Sequence, residues 1–312
     1  MKMMLERYMG NPILEPIKSH PWEGLMVYNC GIVDTHGRVH IVYRAQGVKE
    51  GGSSLGYASS RDGFHIDERL DSPIFQREPS NSYELMGCED PRLTIIGNQI
   101  IMAYTAYGKV PEMEERLGLP TPTSVQVRLA SISVDDFVHK RWRWRKRWFP
   151  FFRVDNKDFA LFPRKFEDLY VAYHRIPPYT WIAYSKDLKS WFGHDIVIAP
   201  KKEWEYYKVG AGAPPIETEK GWILIYHAVD REWVYRLGLA IADKEDPSKI
   251  ICRHRKPILE SREPYERVGI VPNVVFTCGA IVREGRLHVY YGGADTVVCV
   301  ASADLSEILS LF

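Results

Sequence analysis

Apolar and polar residues alternate with period two along nearly the whole chain, and Gly, Pro, Asn and Asp interrupt the alternation at close intervals. This is the pattern of many short strands joined by tight turns. Helical periodicity is scarce. Its best candidate, PEMEERLG at 111–118, lies in an insert ending in LPTPTS and reads as a surface loop or as a lid. A two-part phrase recurs five times within the pattern. The first part is a short strand that ends in Tyr and runs into polar residues: HIVYRA at 40–45, IMAYTA at 101–106, YVAYHR at 170–175, ILIYHA at 223–228 and HVYYGGAD at 288–295. The turns HGR, IGN, FED, EKG and EGR precede these strands. The second part is ASSRDG from Ala58, SISVDD from Ser131, AYSKDL from Ala183, AIADKED from Ala240 and ASADL from Ala301. Five copies of roughly 50 to 75 residues predict an all-β chain, a five-bladed β-propeller, that fills residues 1–312 as a single domain. The Tyr-ended strands are expected innermost, with their polar ends meeting in one central pocket.

Composition narrows the partners. The chain has 312 residues and a net charge of +1, so neither a nucleic acid nor an acidic membrane surface is indicated. The run KRWRWRKRWFPFFR at 140–153 invites a polyanion reading. As a strand, however, it places Trp142 and Trp144 on one face and Arg141, Arg143 and Arg145 on the other, which predicts an outer blade strand. Nine Trp and 18 Tyr suit β-structure and also sugar stacking. The five Cys, at 30, 88, 252, 278 and 299, are odd in number and form no C-x-x-C pair, so no disulfide framework or zinc site is expected. The ten His show no metal-ligand spacing, and no catalytic metal is expected. Charges interrupt the N-terminal MKMMLERYMGNPILEP, and no stretch approaches transmembrane length. The expected location is a reducing cytoplasm.

The sharpest local motif is GCEDPRLT at 87–94, where two carboxylates precede a residue of locked φ and a guanidinium. Taken alone it reads as an Asx-type turn entering a strand. Strand alternation points Glu89 and Asp90 in opposite directions, one toward the pocket and the other toward Arg92 or a backbone amide. Arg44 and Arg175 sit at the polar ends of repeated strands, where an unpaired charge in a crowded channel would be costly. His174 and His227 occupy matching places in the third and fourth repeats.

The segments VYNCGIV, IVYRAQG, LGYASSRDGFHI, GCEDPRLT, DNKDFALFPRK, YVAYHR, KVGAGAPPIETEKGWILIYHAVD, VGIVPNVVFTCGA and VYYGGADTVV together resemble glycoside hydrolase family 130, the β-mannoside phosphorylases and related mannosidases. They span almost the whole chain in order. The resemblance implies a five-bladed propeller, in agreement with the repeat count. It implies that Asp90 is the general acid, reaching the glycosidic oxygen directly or through a mannose hydroxyl. Asn29, Arg44 and Asp295 would hold the mannose; His174, by its place in the third repeat rather than by the resemblance, reads as a core histidine or as one hydrogen-bonding substrate. Lys157, Arg175 and Lys208 would bind inorganic phosphate, with His227 beside them. Cys30 stands where the family often has a small residue, which bears on the fine fit of the sugar site. The implied activity is reversible, inverting phosphorolysis of β-mannosides to α-D-mannose 1-phosphate. Its partners are a β-mannoside oligosaccharide and phosphate, no cofactor is needed, and oligomeric state stays open, a homo-oligomer being one of the alternatives. Linkage stays open between β-1,2 and β-1,4, and the N-terminal NPILEPIKSHPWE looks more like the β-1,2-mannobiose branch. The rival readings are a hydrolase on the same fold and a sugar-binding propeller without catalysis.

The chemistry also follows from the residue types. Breaking a glycosidic bond needs a proton for the leaving oxygen and a nucleophile at the anomeric carbon. A hydrolase needs a second carboxylate to activate water. Phosphate is already anionic and needs instead a cationic cradle, to which Arg brings a planar fork and Lys a point charge.

Overall fold

The computed structural model describes residues 4–48, 52–110 and 123–312. The helical candidate at 111–118, with its lid reading, lies outside the described residues. Five antiparallel sheets form a five-bladed propeller. Blade 1 comprises Met26–Thr35, Arg38–Gln46, Ser54–Ser60 and Glu68–Arg69, and blade 2 comprises Gly87–Ile96, Gln99–Lys109, Thr123–Ser133 and Arg145–Trp148. Blade 3 comprises Lys157–Leu161, Tyr170–Ile176, Tyr179–Ser185 and Trp191–Ile198. Blade 4 follows with Lys208–Ala211, Gly221–Val229, Tyr235–Ala242 and Ile250–Arg253, and two short strands, Ile216–Thr218 and Leu259–Glu260, pair onto it. Blade 5 takes Val275–Arg283, Arg286–Gly293 and Val297–Asp304 from the C-terminal end and its outermost strand, Glu6–Arg7, from the N-terminal end. That pairing closes the ring. Among the described residues no helix is long and apolar enough to cross a membrane.

The core is a set of layers between blades. Val42, Leu55 and Tyr57 of blade 1 pack on Leu93, Met102 and Tyr104 of blade 2, and equivalent clusters fill the other four gaps. The middle strands are therefore buried on both faces, as their near-continuous apolar runs require. The recurring second phrase is the third strand of a blade plus its exit turn. Asp62, Asp187, Asp243 and Asp304 each accept backbone N–H bonds from residues two or three further on, and Ser133 does the same in blade 2.

The Tyr-ended strands are not innermost. In every blade they are the second strand, and the strand before them in sequence lines the axis. The reason lies in what the tyrosines do. The hydroxyls of Tyr43, Tyr104, Tyr226 and Tyr291 donate to Glu23, Glu84, Glu205 and Glu266 at 2.7–2.8 Å. All four carboxylates are fully buried, and each is paired with arginine: Arg69, Arg128 and Arg147, Arg253, and Arg7 respectively. The tyrosine repeat is thus a set of rivets within the blades rather than a lining for the pocket. Blade 3 departs from it, with the Tyr173 hydroxyl donating to the Pro247 carbonyl.

The basic run divides as its alternation predicted, although the regular strand begins only at Arg145. Trp142 and Trp144 pack on the layer between blades 1 and 2. Arg141 pairs with Asp135 and Asp136, and Arg143 lies 3.9 Å from Asp136.

Candidate active site

The inner strands of blades 1, 2 and 3 each slip by one residue against their neighbours. The slips fall between Tyr28 and Gly31, between Glu89 and Arg92, and between Lys157 and Ala160. In each bulge the first unpaired residue is left-handed: Asn29 at φ 43°, Asp90 at φ 52° and Asp158 at φ 57°. Asn and Asp tolerate this region better than other side-chain-bearing residues, and bulges redirect side chains. Pro91 occupies the second bulge position of blade 2, where its missing N–H leaves no gap in the ladder. The second strands run back to the same end of the ring, so Arg44, Arg175 and His227 arrive beside the bulges. Asp295 joins them from the left-handed turn that ends the second strand of blade 5. The opposite end of the axis is apolar, a hollow of 280 Å³ lined by Ile32, Leu93, Ile95, Pro214 and Ile281 among others.

One half of the site surrounds Asp90, which is 4% exposed. Its Oδ1 accepts from the Asn29 amide at 2.9 Å and from Arg44 Nη1 at 3.2 Å, and its Oδ2 lies 3.7 Å from Lys157 Nζ. Glu89 faces the same two cations, at 2.5 Å from Arg44 Nη2 and 3.3 Å from Lys157 Nζ. The expectation that Glu89 and Asp90 diverge is overturned, because the bulge breaks the alternation between them. Arg92 pairs with neither carboxylate. It donates to Asp158 at 3.0 Å and to the carbonyls of Asp90, Ala211 and Gly212.

Burial alone would raise the Asp90 carboxyl, but Lys157, Arg44, the Asn29 amide and Arg92 together hold it down to about 2. Burial would likewise lower Lys157, and Glu89 and Asp90 reverse this and raise it. Asp295 behaves differently. Burial, with the Asp90 and Glu89 charges adding to it against Arg44 and Lys157, brings it up to about 6. Among the described residues its side chain has no hydrogen-bond or ion-pair partner.

The other half is cationic. Arg175 Nη1 lies 2.9 Å from Asp158 Oδ2 and donates to His227 Nε2 at 3.1 Å. His227 is fully buried, and burial, with Arg175, Lys208 and Arg92 adding to it against Asp158, lowers it to about 3, so it is neutral. Lys208 Nζ lies 5.3 Å from the Tyr235 ring centre and 5.6 Å from that of Trp233. Its ammonium has no carboxylate partner among the described residues. Burial lowers it to about 8, Arg175 and Lys157 add to the effect, and Asp158 opposes it. Two glycines make room. A Cβ on Gly210 would sit 2.5 Å from both Asp158 Oδ2 and His227 Cε1, and one on Gly292 would run into the Asn29 side chain.

The structure therefore brings together Asn29, Arg44, Asp90, Lys157, Arg175, Lys208, His227 and Asp295. It leaves His174 out. The bulge sets His174, not Tyr173, opposite the slip in blade 3, at the register that the riveting tyrosines Tyr43 and Tyr104 hold in blades 1 and 2. Its ring is fully buried against Phe151, Nδ1 lies 2.9 Å from the Asn156 amide and Nε2 lies 3.3 Å from His194. His174 and His227 are not structural equivalents. Sequence reasoning missed Glu89 as a partner of the cations and missed Asp158 altogether. Pro91 was the available sign of the blade 2 bulge, and no comparable sign marks the blade 3 bulge that carries Asp158.

The site carries Arg44, Arg92, Lys157, Arg175 and Lys208 against Glu89, Asp90, Asp158 and a partly titrated Asp295. It has positive charge to spare on the Lys208 side and, on the other, a carboxyl raised toward neutrality.

Comparison with known proteins points the same way. A family model described as beta-1,4-mannooligosaccharide phosphorylase matches residues 6–312. The 1,2-beta-oligomannan phosphorylase of Thermoanaerobacter sp. (strain X514) is 40% identical over 97% of this chain and 98% of its own length. A beta-1,2-mannobiose phosphorylase of the same organism is 39% identical over 97% of this chain and 98% of its own. The solved beta-1,2-mannobiose phosphorylase of Listeria innocua, in complex with beta-1,2-mannobiose, superposes with a TM-score of 0.82 at 27% identity, covering 99% of each chain. With the whole propeller matched by model, sequence and structure, the chain belongs to glycoside hydrolase family 130.

Proposed function

We propose that this chain catalyses the reversible, inverting phosphorolysis of β-1,2-mannosides, releasing α-D-mannose 1-phosphate. The observation that carries the reading is the Lys208 side of the pocket, where an ammonium without a carboxylate partner among the described residues lies within electrostatic reach of Arg175 and Lys157. A half-buried cation left so is poised for an anionic ligand. The family includes enzymes acting on both linkages, and the β-1,2 choice rests on the names of the two relatives at 39–40% identity.

In this scheme Asn29, Arg44 and Asp295 hold the mannose, and Lys157, Arg175, Lys208 and His227 hold hydrogen phosphate beneath its anomeric carbon. The C1–O bond to the leaving sugar breaks as a C1–O bond to phosphate forms. The leaving oxygen takes a proton from Asp90, directly or through a mannose hydroxyl, and the proton carried by hydrogen phosphate replaces it. No base is required. At about 2, with Lys157 and Arg44 beside it and no phosphate charge to offset them, Asp90 cannot donate at neutral pH. A phosphate dianion offsets Lys157 and its neighbours and raises Asp90, so donation follows phosphate binding. The charged product and the five free thiols support a reducing cytoplasm as the working compartment.

Incubation with α-mannose 1-phosphate and a panel of sugar acceptors tests this reading. The expected product is β-1,2-linked, and a β-1,4 product would reassign the linkage. Release of free mannose from β-1,2-mannobiose at an equal rate without phosphate would replace phosphorolysis by hydrolysis.

Charge at Lys208 should be read directly in the kinetics. Lys208→Met should raise KM for phosphate roughly 10- to 150-fold, the worth of one charge-assisted contact, with a smaller change in kcat. In the wild type, kcat/KM for phosphate should fall as pH rises through about 8, where Lys208 loses its charge. Lys208→Arg should move that limb to higher pH, since guanidinium stays charged there. An unchanged limb in Lys208→Arg would place the phosphate cation elsewhere.

A further inference from the structure

We infer that Asp158 is a positioning residue for phosphate: its carboxylate holds Arg175, which in turn donates to His227, and ties both to the strand that carries Asp90. The inference rests on the phosphorolysis reading. Its first support is register. Asp158 stands at the bulge position that Asn29 and Asp90 hold in blades 1 and 2, with the same left-handed backbone. That conformation is retained where surrounding structure over-determines it.

The second support is the contact set. Asp158 is 1% exposed, so its charge cannot be solvated by water. Oδ1 accepts from Arg92 at 3.0 Å, while Oδ2 lies 2.9 Å from Arg175 Nη1 and 3.4 Å from His227 Nε2. Arg92 in turn donates to the backbone carbonyl of Asp90 at 3.2 Å and to those of Ala211 and Gly212 in blade 4. One carboxylate thus links the bulge of the general acid to the guanidinium of blade 3, and that guanidinium carries the link on to the imidazole of blade 4. Blade 4 yields space for it, because Gly210 is the residue whose Cβ would press on Oδ2.

The third support is that an anion there is costly unless it does something. A carboxylate beside a phosphate site repels phosphate. If Asp158 contributed charge alone, removing it would tighten phosphate binding. If it positions Arg175, removing it loosens binding despite the lost repulsion. The two roles predict opposite signs.

The test is Asp158→Asn, which keeps the shape and most of the hydrogen bonding. The expected result is a rise in KM for phosphate of about tenfold or more, the scale of a misdirected charge-assisted pair. Mannose binding, measured without phosphate, should be unchanged. In an Arg175→Gln background the same substitution should have little further effect on KM, because Asp158 acts through Arg175. The alkaline limb assigned to Lys208 should also move to lower pH, since Asp158 is the anion that faces Lys208 while Arg175 and Lys157 face it as cations. Should Asp158→Asn fail to fold, Asp158→Glu keeps the charge but misplaces the carboxylate and should raise KM for phosphate in the same direction. Tighter phosphate binding in Asp158→Asn, or full additivity with Arg175→Gln, would overturn the inference. A wild type with no phosphate dependence would instead overturn the phosphorolysis reading beneath it.

Discussion

Asp90→Asn should lower kcat by roughly 10² to 10⁴ in both phosphorolysis and synthesis, the range lost with a general acid. The substitution is nearly isosteric, and Asn suits the left-handed backbone of this bulge. The Asn29 and Arg44 contacts lie within the same pocket, so the fold and the phosphate cradle should persist. What disappears is the proton. Phosphate titration should show this separation as near-normal phosphate affinity without turnover. The reaction needs one proton donor and no base, so no second carboxylate should match the effect. Glu89 is the control, since its oxygens serve Arg44 and Lys157. Glu89→Gln should loosen both cations and act on KM more than on kcat. Asp295, raised to about 6, is the site carboxyl brought closest to titrating at neutrality. If Asp295→Asn stopped turnover while Asp90→Asn did not, the donor would be Asp295. If Glu89→Gln alone did so, the bulge would be aiming the other carboxylate.

Glu266→Ala should destabilise the protein by about 3–5 kcal/mol, the typical cost of stripping one partner from a buried ion pair. Glu266 is fully buried. It receives Arg7 at 2.7 and 2.8 Å, the Tyr291 hydroxyl at 2.8 Å, and the backbone N–H groups of Arg262 and Glu263. Arg7 lies in the short strand that closes blade 5, so the rivet also fastens the ring. Removing the carboxylate leaves a guanidinium that is 13% exposed without its anion, a buried phenol without its acceptor and an unsealed seam. At roughly 2–4 °C per kcal/mol for a chain of this class, the apparent Tm should fall by about 10 °C. Thermal melting checks it. Tyr291→Phe should cost much less, since it removes one donor and leaves Glu266 paired with Arg7. Equal losses in the two variants would mean that the ion pair contributes little to closure.

Much of this protein is legible in its sequence. The many short strands and the five phrases depend on local chemistry, and the structure keeps both, although it buries the middle strands on both faces and sets the tyrosine strands one place off the axis. The cations Arg44, Lys157, Arg175 and Lys208 were also legible, through a resemblance that spans the chain. What the sequence left open is register. Alignment on the tyrosines equates Tyr173 with Tyr43, whereas hydrogen bonding equates His174 with it, and that one-residue difference takes His174 out of the site. The same kind of slip puts Glu89 and Asp90 on one pair of cations and brings Asp158 to the axis. It is a property of two strands together. Side chains alternate with period two, so a single inserted residue exchanges the faces of everything beyond it, and neither strand's own sequence reports where the insertion falls. The order of strands within a blade was hidden for a related reason. The tyrosines look like pocket residues in sequence, and only the buried glutamates waiting for them show that they face into the blade. Composition and local pattern thus determined the class of fold and the kinds of side chain available. Pairing across strands decided which of them meet at the axis.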